Sequence, residues 1–360
     1  MKKKNPRILV SAAMRSGSTL VSNILNAHKD ILIVENFHFQ RFIYQDGKKL
    51  TKNLLKYKVY EMRDRLQLRY NYKINAENVI DSVLKRGISY KNLYDELIKD
   101  QANINGVKIA GEDSALNWRF IKTFYNFYPN AKIIHLIRDP RSIFASWKKA
   151  TYQKNDYWGC IYNTIDCMNY ALKYSKILNK KNYLALRFED ILLNPEFFAK
   201  KMCSFLNIQF TEDMINPKRW SKLFNNKNAS LGWSSIEKKS MDGFYKNRVD
   251  AWKKILTDEE INTIQTFMSK NLIQWGYDLY PTRSNKIDVF LDCTNKSNYL
   301  KKNLQNFLKT GEGSDLLKDD PTDPYTWGDG KKNKKKFKDT KNGKLYLSNL
   351  KKLKKKFLIN

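Results

Sequence analysis

At 360 residues, with 42% hydrophobic and 13% aromatic content, the chain carries enough apolar material for a packed core, which excludes wholesale disorder. Its formal net charge of +31 is unevenly spread, because residues 331–360 contribute thirteen lysines against one acid, Asp339. No stretch approaches about 20 uninterrupted apolar residues, which excludes a transmembrane helix. Cys160, Cys167, Cys203 and Cys293 show no CxxC pairing and read as reduced thiols. Met1-Lys2-Lys3-Lys4 before an apolar run imitates a signal peptide, but Arg15 cuts the run short and the segment is needed for a strand and loop. A soluble, cytoplasmic protein is the expectation.

The first elements in chain order are a short buried strand, Ile8-Leu9-Val10, and a helix from Ser18 to Ala27 with Leu20, Val21, Ile24 and Leu25 on one face. Between them, Ala13-Met14-Arg15-Ser16-Gly17-Ser18-Thr19 is a small-residue loop opening onto a helix N-terminus. Free N–H groups and the helix dipole favour an anion there; the plain alternative is a strand–turn–helix joint with an N-capping serine. Ile31 to Val34 form a second strand ending at Glu35. Residues 36–105 read as a helical excursion over the sheet, with apolar pairs such as Val79-Ile80, Val83-Leu84 and Leu97-Ile98 at helix spacing. Its many aromatics belong more often to packing than to ligand stacking.

Gly106 to Ala110 is the next expected strand and Trp118 to Tyr128 a helix. Ala131 to Arg138, AKIIHLIR, is a β-branched run bounded by turn residues and the clearest strand of the chain. Asp139-Pro140 starts a helix through Ile143, Phe144 and Trp147, with proline in the first turn. A helix from Cys160 to Leu178, a strand from Tyr183 to Arg187 and a helix from Pro195 to Leu206 follow. This alternation predicts an α/β fold with a central parallel sheet flanked by helices. Residues 216–240 weaken into a polar segment with Trp220 and Trp233, and Asp258 to Leu272 forms a helix closing at Gly276-Tyr277. The composition shifts beyond Pro281. The expected organisation is a catalytic domain over 1–280, a linker or appendage over 281–330 and a lysine-rich tail over 331–360.

Open parallel sheets bind ligands at the carboxyl ends of their strands. The first loop, Glu35, Arg138 and Arg187 would then converge on one rim. The loop lacks the lysine after Gly17 that a Walker A motif requires, so an ordinary triphosphate hydrolase is disfavoured. Its amides, hydroxyls and Arg15 suit one phosphate-like group. Arg138, with Ser146 about two helical turns behind it, offers a second such position because its planar donors match phosphate oxygens. The plain alternative is that Arg138 pairs with Asp139. His28, His38 and His135 lie on different elements, and His135 reads as a core histidine.

Taken together, these stretches resemble the sulfotransferases that use 3′-phosphoadenosine 5′-phosphosulfate (PAPS). MRSGSTLVSNIL is similar to the family's 5′-phosphosulfate loop and KIIHLIRDPRSIFASW to its 3′-phosphate strand–loop–helix, in the family's order. LRFEDILLNPE and NRVDAWKKILTDEE are similar to two further shared segments, so the resemblance spans roughly Arg7 to Tyr280. It implies a P-loop-like three-layer fold, in which Arg15, Ser16, Gly17, Ser18 and Thr19 hold the 5′-phosphosulfate. Arg138 and Ser146, helped by Arg248, would hold the 3′-phosphate, and PAPS would leave as 3′-phosphoadenosine 5′-phosphate (PAP), with no metal required. Glu35 matches the carboxylate base of the branch acting on glycans and tyrosines, and a base beside the acceptor hydroxyl is what the chemistry needs; Arg15 would act on the departing oxygen. Where relatives carry lysine before Ser or Thr, this chain has Asp113, which makes Asp113, like His38, a rival base. Phe188 replaces a frequent tyrosine.

The resemblance implies a hydroxyl-bearing acceptor: a glycan is favoured, with tyrosine and small alcohols open. Rival readings are a nucleotide or small-molecule kinase on a divergent loop and a non-catalytic basic nucleic-acid binder. In the tail, Leu347, Leu350, Leu353 and Phe357 are spaced by three or four, which permits a basic amphipathic helix. A solvated extension is the favoured reading, and contact with a polyanion the next.

Overall fold

The structure, a computed structural model, describes residues 6–35, 37–70, 72–150, 156–220, 243–316 and 341–358. Trp233, most of the polar segment around it, the lysines of residues 331–340 and those of the N-terminus lie outside this set. Five strands, β1 (Ile8–Ala12), β2 (Ile31–Glu35), β3 (Ile109–Ala115), β4 (Lys132–Ile137) and β5 (Tyr183–Arg187), form one sheet in the order β2-β3-β1-β4-β5. Every pairing is parallel. The chain leaves β1 toward β2 on one side and β4 toward β5 on the other. The topological switch therefore falls between β1 and β4, where an open sheet leaves a crevice beyond its strand ends.

Apolar alternation along the strands divides the core into two layers. Ile8, Val10, Ile33, Ile134 and Leu136 pack with Val21 and Ile24 of α1 (Ser18–Asn26) and with Ile191 and Met202 of the later helices α9 (Phe188–Leu193) and α10 (Pro195–Leu206). Leu9, Val34, Ile133 and Ile137 face the opposite layer. That layer holds the excursion, α2 (Phe39–Phe42), α3 (Lys52–Tyr70), α4 (Ala76–Arg86) and α5 (Tyr90–Ile104). It also holds α6 (Ile121–Phe127), α7 (Pro140–Ala150), α8 (Cys160–Ile177) and α11 (Asp258–Gln274). Thr257 caps α11 through a capping box with Glu260, which fixes its start.

Several boundaries differ from expectation. β3 begins at Ile109 rather than Gly106 and continues through Gly111-Glu112-Asp113-Ser114, a polar string whose side chains are nevertheless buried. Gly111 is required there because a Cβ would overlap the Ile8 backbone of the adjacent strand. The helix expected from Trp118 opens as a 3-10 turn, Trp118–Phe120, before α6. Past Tyr280 the chain continues into α12 (Asp288–Asn295) and α13 (Asn298–Thr310), whose Phe290, Cys293 and Leu300 belong to the same core layer as α8 and α11. Residues 341–358 are not a solvated extension. Lys341–Phe357 forms α14, and Tyr346 and Leu350 bury against Tyr57 of α3 because the three-or-four spacing aligns them on one face.

Candidate functional site

The loop after β1 is shaped by two residues in left-handed backbone, Arg15 at φ 69° and Gly17 at φ 93°. The Ser16 amide donates to the Ala13 carbonyl at 3.1 Å, closing a tight turn. Only glycine fits at position 17, because a Cβ would overlap the ring of Phe188 in addition to the backbone penalty. Gly17 itself is the cap of α1, and no side chain among the described residues caps that helix. The N-capping serine of the plain alternative is therefore absent among them, and Ser18 and Thr19 open the first turn. Ser16 is 1% exposed, and its Oγ is buried with no hydrogen-bond partner among the described residues.

Arg138, just past β4, donates from Nη1 to the carbonyl of Arg15 at 2.7 Å and lies 4.5 Å above the Phe188 ring. Ser146 accepts from Arg15 Nε at 3.1 Å. The hydroxyl expected to serve Arg138 thus contacts Arg15, and both arginines and the serine occupy one place. Asp139 does not pair with Arg138. It is taken by Arg141, whose Nη2 lies 2.8 Å from Asp139 Oδ2 and whose guanidinium stacks 4.2 Å from the Trp252 ring. Arg248, stacked at 4.8 Å on Tyr245, is near enough for its charge to act on Arg138. Burial pulls Arg138 down to about 10, with Arg15 and Arg248 pushing the same way and Glu189 and Asp139 opposing. Its Nε has no hydrogen-bond partner among the described residues. A buried donor and an under-compensated cation together call for an anion.

On the other flank, Glu35 ends β2 in register with Asp113, which is in register with Val10 of β1. Two strand spacings put Glu35 about 10 Å across the sheet from β1. Glu35 and Asp113 are both 5% exposed, and Ser22 of α1 donates to Asp113 Oδ2 at 3.4 Å. Three residues after Glu35, His38 adopts left-handed backbone at φ 51° and its Nδ1 lies 3.1 Å from Ser114 Oγ. Two fully buried charged residues hold the peptides on either side of it. Arg65 of α3 donates to the Phe37 carbonyl at 2.6 Å, and Glu112 of β3 accepts from the Phe39 amide at 3.3 Å. Burial pushes Glu112 up to about 8, with Asp113 adding to the effect and the Phe39 amide and Arg65 opposing it.

This clamp is not legible in the sequence. Its only signal was charge at positions that pattern as core, Arg65 on α3 and Glu112 inside a strand, which is costly unless something is held in return. The contact of Phe188 with Gly17 was equally invisible, since 171 positions separate them. His135 is a core histidine: its Nδ1 is 2.7 Å from Tyr183 Oη and its Nε2 3.2 Å from Cys167 Sγ, and burial lowers it to about 3. All four cysteines are buried, and none forms a disulfide among the described residues. Among the described residues no group of three or more His, Cys, Asp or Glu could hold a metal ion, and no helix is long and apolar enough to cross a membrane.

A cationic cluster of amides, hydroxyls and guanidinium groups at one strand end, with a carboxylate pair on the neighbouring strands, has the groups to bind a multiply charged anion and to accept a proton. Sulfotransferase 2A1 of Macaca fascicularis is 22% identical over 182 residues, which covers 43% of this chain and 63% of that protein. The sulfotransferase domain of the curacin biosynthetic pathway superposes with a TM-score of 0.52 at 18% identity, over 77% of this chain and all of that domain. The sulfotransferase domain of the Synechococcus PCC 7002 olefin synthase gives 0.54 at 18% identity, over 78% and 98%. A model of the sulfotransferase family matches residues 6–212, more than half of the chain, and this chain therefore belongs to the sulfotransferase family.

Proposed function

We infer that this chain moves a sulfuryl group from PAPS to an acceptor hydroxyl. The observation that carries the reading is the meeting of Arg15, Arg138 and Ser146 at the Gly17 loop, with two donors beside it, Arg138 Nε and Ser16 Oγ, that have no partner among the described residues. These residues fit PAPS. Arg15, Ser16, Gly17, Ser18 and Thr19 would hold the 5′-phosphosulfate, and Arg138, Ser146 and Arg248 the 3′-phosphate. When bound, PAPS supplies an activated sulfuryl group and a stable leaving group, PAP.

The remaining chemistry belongs to the chain. Glu35 accepts the proton of the acceptor hydroxyl as that oxygen attacks in line. Arg15 and the amides opening α1 neutralise charge on the departing bridge oxygen. Phe188 closes the loop from the opposite side and braces Arg138. A glycan hydroxyl is the favoured acceptor, because Glu35 matches the carboxylate base of the glycan and tyrosine branch.

Calorimetric titration of PAP in the presence of EDTA tests the reading. Tight, metal-independent binding is expected, and it should collapse when the ligand lacks its 3′-phosphate. Equal affinity for adenosine 5′-phosphate would overturn the assignment, as would phosphorylation of a substrate by ATP and magnesium.

A further inference from the structure

Helix α14 carries lysines at 341, 344, 351, 352, 354, 355 and 356 and no acid. Its apolar side is already used. Tyr346 and Leu350 are buried on Tyr57, with Leu347, Leu353 and Phe357 packed beside them, and Phe357 stacks on Tyr60 of α3 at 5.7 Å. At 100° per residue, Lys344, Lys351 and Lys355 fall in one line opposite that seam, along about 16 Å of helix, with Lys352, Lys354 and Lys356 flanking it. All six are exposed.

Some lysines elsewhere are balanced locally, as in Lys58 with Glu61, Lys200 with Glu196 and Lys253 with Asp250, and α13 carries only three, Lys301, Lys302 and Lys309, without an acid. Among the described residues no carboxylate forms an ion pair with any of the six on α14. Adjacent like charges destabilise a helix, so the seam on α3 holds fixed an array that repels itself. A lysine-rich composition accounts for many lysines but not for the local exclusion of acids.

We propose that this face of α14 binds an anionic glycan chain and is the docking surface of a polymeric acceptor. The inference rests on the transfer reading above for the word acceptor, and on α14 alone for the surface. Membrane insertion is disfavoured because the apolar side of the helix is committed to α3. Nucleic-acid readout is disfavoured because the array has no arginine and both of its aromatics are packed inward. Exposed ammonium groups along one helix face suit carboxylates and sulfates repeated along a flexible chain. The same α3 that seats the array carries Arg65, which holds the turn after Glu35.

The test uses the full chain and fluorescent heparin or polygalacturonate at two salt concentrations. The variant K351Q/K352Q/K354Q/K355Q/K356Q should weaken binding about tenfold or more and flatten its salt dependence. A control with K296Q/K301Q/K302Q/K309Q, on and before α13, should change it less than about twofold. Unchanged melting temperature and PAP affinity in both variants establish that the fold is intact. The proposal is overturned if the α14 variant binds like wild type, if the control falls equally, or if duplex DNA or phosphatidylserine vesicles bind more tightly through the same lysines. Loss of PAP binding in the wild-type chain with glycan binding retained would sink the transfer reading and leave the surface standing.

Discussion

Arg138 donates to the backbone carbonyl of Arg15 at 2.7 Å, tying the end of β4 to the tip of the loop after β1 across 123 positions of sequence. The bond means that Arg138 shapes the loop as well as supplying charge. On the PAPS reading proposed above, its loss would remove a contact to the ligand and release the loop together.

Arg138→Ala should lower PAP affinity by about 1.5 to 3 kcal/mol, roughly 10- to 100-fold, the range for a charge-assisted hydrogen bond. Arg138→Lys should recover part of the charge but not the fork, and fall between the two. Calorimetry on the three proteins checks the order.

Gly17→Ala places a Cβ into the Phe188 ring on left-handed backbone. A loss of at least about 1 to 2 kcal/mol of stability is expected from the backbone alone. Adding Phe188→Ala should relieve the overlap but not the backbone cost, so the double variant should melt above Gly17→Ala only if the loss of ring packing is smaller than the overlap. PAP affinity should stay depressed in both.

Glu35→Gln should abolish turnover of the labelled donor while leaving PAP affinity within about twofold, since β2 lies two strand spacings, about 10 Å, across the sheet from β1. Retained turnover would move the base to Asp113 or His38, and Asp113→Asn and His38→Gln would then separate those two.

Glu112 predicts a pH dependence. Its folded value of about 8 lies above its ordinary 4.5 because burial disfavours the ionised form. The folded state therefore holds a proton that the unfolded state releases, and this contribution is complete below about 4.5 and is lost as pH rises through about 8. Melting temperature should fall over that window, and Glu112→Gln should flatten the decline. Arg65→Ala should destabilise by about 1 to 3 kcal/mol on both sides of that window, because it leaves the buried Phe37 carbonyl without its donor.

Much of the architecture was legible because parallel strands buried on both faces read as apolar runs. Tyr183–Arg187 and Pro195–Leu206 fall where the pattern puts them. The phosphate-loop and Arg138 segments were legible through local chemistry, small residues before a helix and an arginine at a strand end. β3 was misplaced because Glu112 and Asp113 look solvent-facing, and only their tertiary partners explain their burial. The contact of Ser146 with Arg15 was not legible because helical periodicity gives a face, not the partner of a residue 131 positions away. The clamp on His38 needs three separate elements at once, and no local pattern encodes it.

The stacking of Phe357 on Tyr60 has a consequence for how the molecule is made. The two residues are nearly three hundred positions apart, and closing so long a segment is slow compared with local contacts. During synthesis α3 leaves the ribosome long before its cover is translated, so Leu54 and Tyr57 stay wet while the sheet assembles. Docking of α14 is then a late event, and the nascent excursion is the segment most in need of chaperone protection.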